Sequence, residues 1–181
     1  NFLGTKDNFI FVEKVKNFPI NAITASFWMH SSAVDRKACL LYYAASSSPD
    51  EFLIFYDIQN LELHIGGERV RLTGPTEAIG KKIFDNQWHH LVVTWESATG
   101  KANLYLDGKA VGNGAFIKKG RVLLPDGTLV IGQDQDCQFP KKCRFNPKSD
   151  ATTGGFGNSQ AYFVNLANLR IYNTVKSPQD I

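Results

Sequence analysis

Read for its hydrophobic and polar positions, the chain shows almost no helical periodicity. Short runs rich in aromatic and β-branched residues recur instead, separated by turn residues. The first predicted strands are NFIFVEKV (8–15), AITASFWMH (22–30), ACLLYYAA (38–45), EFLIFYDI (51–58) and LELHIGG (61–67). WHHLVVTWES (88–97), KANLYLDGKAV (101–111), TLVIGQD (128–134) and AYFVNLANLRIYN (161–173) follow. Within ANLYLDG, Ala102, Leu104 and Leu106 alternate with Asn103, Tyr105 and Asp107, the pattern of a half-buried antiparallel strand. SATG (97–100) and the DG pairs at 107–108 and 126–127 read as hairpin or turn signals, because Gly accepts positive φ without steric cost. Many short strands, frequent turns and no amphipathic helix predict an all-β fold, a two-sheet antiparallel jelly-roll sandwich. The Gly/Ser/Thr/Asn-rich stretch 149–160 is the best candidate for a long functional loop.

Length and charge narrow the picture. The 181 residues fit one domain, 1–181. With 20 Lys+Arg against 17 Asp+Glu, the net charge of +3 is too small a bias to argue for nucleic acid. No apolar run approaches the ~20 residues of a membrane-spanning helix, so insertion in a membrane is not expected. The chain begins at Asn1 without an initiator Met or a signal-like segment, which reads as a domain excised from a larger extracellular protein. No Asn-x-Ser/Thr sequon marks an exposed face.

The three cysteines divide unequally. Cys39 lies in an apolar run and is expected to behave as a small buried hydrophobe. Cys137 and Cys143 are near enough in sequence to close a short loop. A disulfide between them is the preferred reading and implies an oxidising, extracellular setting. The alternative, a metal or redox site, lacks both the C-x-x-C spacing and a second pair with suitably placed His.

Just before this pair, IGQDQD places Asp134 and Asp136 two residues apart after an apolar run. Alternate residues of an extended segment face the same side, so the two carboxylates repel unless a cation lies between them. One reading is a solvated turn; the other is half of a calcium site. His89 and His90 look like a metal pair, but adjacent strand residues face opposite ways, so a structural role is the better reading. Trp28, Trp88 and Trp95 sit in strand runs and read most simply as core. No nucleophile-elbow pattern is present, and Asp134 and Asp136 have no facing acidic pair for glycoside hydrolysis, so the chain is read as non-enzymatic.

HLVVTWES (90–97) resembles the pentraxin pattern His-x-Cys-x-Ser/Thr-Trp-x-Ser/Thr, with Val92 in place of the Cys. The likeness extends along nearly the whole chain and in the family's order. PDEFLIFY (49–56), LDGKAV, IGQDQD, GNSQAYFVNLANLRIYN (157–173) and SPQDI all take part. The wider group is the pentraxin/laminin-G sandwich. The family's cysteine pair is missing at both ends together, with Ser26 and Val92 at the two positions, and the segment from Cys137 to Cys143 reads as an insertion.

The resemblance implies calcium on one face. Carried over by residue, Asp50 falls at a family Asn, Asp134 and Asp136 match the acidic stretch with the Gln135 backbone carbonyl between them, and Gln160 matches a later Gln. Pro49 and Gly157 stand where two further ligands would be, so one ion is expected and a second is expected to be weak or absent. Such an ion implies a phosphate ester or a cell-surface glycan as ligand. Phe55 matches a family Phe that packs on choline, while the acidic residue meeting the cationic head falls at Arg69, beside Glu68, which takes the role if the register shifts by one. A purely anionic or glycan ligand fits better, and Lys141, Lys142, Arg144 and Lys148 on the inserted loop favour it, unless they form only a solvated charged loop. The expected function is therefore extracellular, calcium-dependent recognition or adhesion, with a homo-oligomer among the expected assemblies. The alternative is a metal-free protein–protein adhesion module of a multidomain receptor.

Overall fold

The structure is a computed structural model that describes residues 2–4, 7–32, 37–45, 48–58, 60–73, 79–133, 161 and 163–180. Its strands are β1 (Phe2–Leu3), β2 (Ile10–Val15), β3 (Ala22–His30), β4 (Ala38–Ala45), β5 (Ser48–Asp57) and β6 (Asn60–Ile65). After them come β7 (Glu68–Arg71), the short helix α1 (Gly80–Ile83), β8 (Trp88–Glu96), β9 (Lys101–Leu106), β10 (Lys109–Phe116), β11 (Gly127–Ile131) and β12 (Phe163–Tyr172). They form two six-stranded sheets, ordered β1-β12-β3-β8-β9-β10 and β2-β11-β4-β5-β6-β7, with the pairs antiparallel throughout. The jelly-roll sandwich expected from the strand pattern is the fold observed.

The two-residue alternation builds the core. Ile23, Ala25, Phe27 and Met29 of β3 and Leu91, Val93 and Trp95 of β8 point inward from the first sheet. Phe52, Ile54 and Tyr56 of β5 and Leu61, Leu63 and Ile65 of β6 meet them from the second. Trp95 is fully buried and donates its indole N–H to the Ile117 carbonyl at 3.0 Å. Of the three tryptophans only Trp95 is core; Trp28 and Trp88 are exposed, because their positions alternate to the outer side of the first sheet.

Two turn signals cut finer than the predicted runs. The run 101–111 is a hairpin, with β9 and β10 joined at Asp107 (φ 50°) and Gly108 (φ 76°). After Gly66 and Gly67, both at positive φ, the chain reverses to add β7 to the sheet edge. Among the described residues no helix is long and apolar enough to cross a membrane.

Candidate ligand-binding face

The outer surface of the second sheet carries the described residues that the sequence marked for ligand binding. Because Phe52, Ile54 and Tyr56 face the core, Leu53 and Phe55 face out; because Leu61, Leu63 and Ile65 face the core, Glu62 and His64 face out. Strand pairing sets Phe55 beside Cys39 on one side and Glu62 on the other, and Leu53 beside Tyr42 and His64. Cys39, Tyr42, Ala44, Leu53, Phe55 and Val130 form a second, smaller apolar cluster on this outer side, and all are buried. Cys39 is thus the small buried hydrophobe the sequence suggested.

Beside the cluster sits a charged group. Glu62 is only 3% exposed, yet two guanidinium groups and an imidazole surround it: Arg71 Nε at 3.6 Å, Arg69 Nη1 at 3.8 Å and His64 Nε2 at 3.5 Å. A carboxylate taken out of water needs such partners, since desolvation opposes its charge. Both guanidinium groups extend into solvent, so each screened pair adds little stability on its own. The Phe55 and His64 rings lie 6.2 Å apart in a tilted contact. Two guanidinium groups over one buried carboxylate leave an excess of positive charge beside an aromatic ring.

Glu68 does not join this group. With Arg69 and Arg71 on the outer side, alternation puts Glu68 and Val70 on the other, and Glu68 pairs with Lys118 Nζ at 2.6 Å. The structure therefore brings Phe55 together with Glu62, His64, Arg69 and Arg71, and not with Glu68. The signal was present in the sequence: in LELHI, Glu62 and His64 alternate with three apolar residues.

Asp50, the third residue of β5, has φ 52°, a left-handed conformation that Asp and Asn tolerate better than most residues. That conformation also suits the Asn expected at this position by resemblance. Its backbone carbonyl accepts a hydrogen bond from Gly67 N at 3.2 Å. The next residue fixes the site firmly. Glu51 is fully buried, its two carboxylate oxygens accept from Arg121 Nη2 at 2.9 and 2.8 Å, and Oε1 also accepts from Leu124 N at 2.9 Å. Tyr43 Oη donates to the Leu124 carbonyl at 2.8 Å and accepts from Gly127 N at 2.9 Å, tying the same loop to β4.

Register sets a condition on the calcium ligands. β11 and β5 are both antiparallel to β4, so they run in the same direction. Thr128 lies opposite Ala44 and Ile131 opposite Leu41, while Phe52 lies opposite Tyr43 and Ile54 opposite Leu41. Asp50 is therefore roughly level with the start of β11, whereas the chain leaves β11 toward Asp134 at the far end. The four residue steps from Gly127 to Ile131 correspond to roughly 13 Å, so the end of β11 lies well away from Asp50 along the sheet. Asp134, Gln135, Asp136, Gln160, Lys141, Lys142, Arg144 and Lys148, like Cys137 and Cys143, lie outside the described residues. Among the described residues no group of three or more His, Cys, Asp or Glu side chains could hold a metal ion.

The two histidines take separate structural roles on opposite sides of β8. His89 bridges two carboxylates, Asp107 Oδ2 at 2.8 Å and Asp85 Oδ1 at 2.9 Å. Burial pulls its pKa down, but the hydrogen bonds to Asp107 and Asp85 outweigh this and leave it raised. His90 stacks on Trp28 and shares a 2.8 Å hydrogen bond with Ser26 Oγ. Ser26 and Val92 are direct cross-strand partners. The two positions where the resemblance places the missing cysteines are thus adjacent, and Ser26 bonds diagonally to His90 instead.

These features define a class: an antiparallel jelly-roll sandwich of the pentraxin and laminin-G kind, with a charged and aromatic outer face. A family model described as "Pentaxin family" matches residues 4–181, and the chain belongs to that family. Neuronal pentraxin-1 of Rattus norvegicus is 28% identical over 178 residues, covering 97% of this chain and 36% of that protein. "Sushi, von Willebrand factor type A, EGF and pentraxin domain-containing protein 1" of Rattus norvegicus is 28% identical over 162 residues, covering 90% of this chain and 4% of that protein. The chain thus spans well under half the length of these relatives. Among solved structures, the native heptameric SAP-like pentraxin from Limulus polyphemus is similar in fold, with a TM-score of 0.74 at 20% identity over 98% of this chain and 76% of that one. Domains LG4-5 of the mouse laminin alpha1 chain share the fold more distantly, with a TM-score of 0.57 at 11% identity over 91% of this chain and 45% of that one.

Proposed function

We propose that this domain is an extracellular recognition or adhesion module that binds an anionic ligand, a phosphate ester or an acidic glycan, through calcium on the outer face of the second sheet. The observation that carries the reading is the group formed by Phe55, Glu62, Arg69 and Arg71, in which two exposed guanidinium groups lie beside an aromatic ring. Arg69 stands where the family resemblance expects an acid, so the pocket repels a cationic head group and attracts an anion. Carboxylate, amide and carbonyl oxygens are the donors calcium prefers. Asp50, Asp134 and Asp136 would hold the ion with the Gln135 carbonyl and the Gln160 amide. Bound there, calcium supplies open coordination positions to a ligand oxygen. Arg69 and Arg71 would take a neighbouring anionic oxygen by charge-assisted hydrogen bonds.

Glycerol 3-phosphate, a phosphate ester with no cationic group, titrated into the protein by calorimetry tests the reading. With millimolar calcium, saturable binding is expected; with EDTA, none. The Arg69→Gln/Arg71→Gln double variant should bind about tenfold more weakly. Equal binding with and without calcium would sink the proposal. So would undiminished binding by the double variant. The family's homo-oligomeric members, such as the heptameric Limulus protein, support assembly of this domain into a homo-oligomer that multiplies weak single-site binding.

A further inference from the structure

The outer side of the first sheet is built differently. Its strands present Thr24, Ser26, Trp28 and His30 from β3, Trp88, His90, Val92 and Thr94 from β8, and Arg170 and Tyr172 from β12. These residues alternate with Ile23, Ala25, Phe27 and Met29, with Leu91, Val93 and Trp95, and with Leu169 and Ile171, all of which face the core. The register of β12 against β3 shifts between Ala167 and Arg170, and Asn168 sits in the bulge at φ 52°. The bulge opens a cleft of about 150 Å³ lined by Ser26, Trp28, His90, Asn168, Arg170 and Tyr172.

The chemistry of the cleft is specific. Trp28 is 39% exposed, and its ring stacks on that of His90, 19° apart in plane with centroids at 5.1 Å, so the imidazole covers one indole face and steadies the ring while the other face stays free for a ligand. Burial, together with the nearby Arg170 charge, holds the His90 pKa below its usual value despite Asp107, so this ring is neutral at pH 7. Arg170 is exposed, and among the described residues it makes no ion pair or hydrogen bond. Among the described residues no carboxylate lines the cleft. Ser26, Asn168 and Tyr172 add neutral hydrogen-bonding groups around the indole.

We propose that this cleft is a calcium-independent subsite for one acidic pyranose. A sugar ring stacks its C–H face on an exposed indole, which offers flat apolar area at little conformational cost. Its hydroxyls find Asn168 and Tyr172, and its carboxylate meets the Arg170 fork, the side chain best shaped for bidentate carboxylate recognition. The volume is below the range of pockets that enclose larger ligands. Its size suits a single six-membered ring. The subsite lies on the opposite side of the sandwich from Phe55 and Arg69 and does not depend on the calcium reading.

Tryptophan fluorescence and calorimetry in EDTA, with methyl β-glucuronide as the probe, test this on the whole chain. A saturable signal in the millimolar range is expected, with methyl β-glucoside binding about tenfold more weakly. Arg170→Gln should remove that preference while leaving the melting temperature unchanged, because the guanidinium has no partner to lose. Trp28→Leu should abolish binding of both sugars. No saturable response to the glucuronide would overturn the proposal, as would full glucuronide affinity in the Arg170→Gln protein. Binding that appears only when calcium is restored would assign the sugar to the other face. Competition by inorganic sulfate as effective as the sugar would reduce the cleft to an anion contact.

Discussion

The two outward faces of this sandwich follow one alternation rule and reach opposite results. On the second sheet, outward positions hold a buried apolar row, Cys39, Leu53, Phe55 and Val130, next to a buried carboxylate flanked by two guanidinium groups. On the first sheet, outward positions hold the exposed aromatics Trp28 and Trp88 and the exposed guanidinium of Arg170, which makes no ion pair or hydrogen bond among the described residues. Period-2 patterning tells which residues face away from the core, but not what covers them. Outward-facing apolar residues that are buried contribute to stability, while outward-facing aromatics that remain exposed are available to a ligand.

The sharpest way to break this comparison starts where the charged face is anchored. Arg121→Ala removes the cation that meets both oxygens of fully buried Glu51, leaving one backbone N–H as the carboxylate's partner. A loss of about 4 kcal/mol is expected in urea unfolding, since an uncompensated buried charge is costly. A loss under about 1 kcal/mol would mean that the pair behaves as an ordinary surface ion pair.

Next comes a matched pair of truncations. Leu53→Ala, in the buried row, should cost about 3 kcal/mol through lost burial and the cavity left behind. Trp28→Ala, although it deletes a larger side chain, should cost only about 1 kcal/mol, because its ring already meets water. Equal costs would show that the two outer faces are buried alike and would remove the basis for treating the aromatic face as open.

The smallest effect separates neighbours on a single strand. His89 has its pKa raised above 6.5 by Asp107 and Asp85 despite burial, so it binds its proton more tightly in the folded state. Its stabilisation is complete below about pH 6.5, the ordinary histidine value, and fades as pH rises through the higher folded value. His90 has its pKa lowered by burial and by Arg170, so its contribution is complete above the ordinary value and fades as pH falls through the lower folded one. An NMR titration of the two imidazoles should show midpoints displaced in opposite directions, and His89→Asn should remove the loss of stability above neutrality. Two coincident midpoints would contradict the assigned environments.

Much of this was legible in residues. The strands 22–30 and 38–45 were bounded by apolar runs and turn residues, and the DG turn at 107–108 marked the β9–β10 hairpin even where a single run was expected across it. The family could be read from HLVVTWES and its neighbours, because they carry core residues whose order the fold fixes. Less legible was what alternation does at a sheet edge. Glu68 looked like a one-step substitute for an acid at Arg69, but one step along a strand is a change of face, and Glu68 meets Lys118 instead. Glu62 was missed because a carboxylate inside LELHI gives no sign of burial until Arg69 and Arg71 arrive on the adjacent strand. The register of β11 against β5 was equally hidden, since it passes through β4 and no local pattern encodes it.

The proposed function turns on one calcium ion shared by Asp50 and the stretch from Asp134 to Asp136. Calorimetric titration of calcium into wild type, Asp50→Ala and Asp134→Ala/Asp136→Ala, with thermal melts alongside, tests it directly. The account predicts one ion per chain, a stabilisation of about 2.7 kcal/mol at a hundredfold excess over Kd, and loss of both in each variant. Binding that survives Asp50→Ala unchanged, or wild type that neither binds nor is stabilised at millimolar calcium, would contradict it.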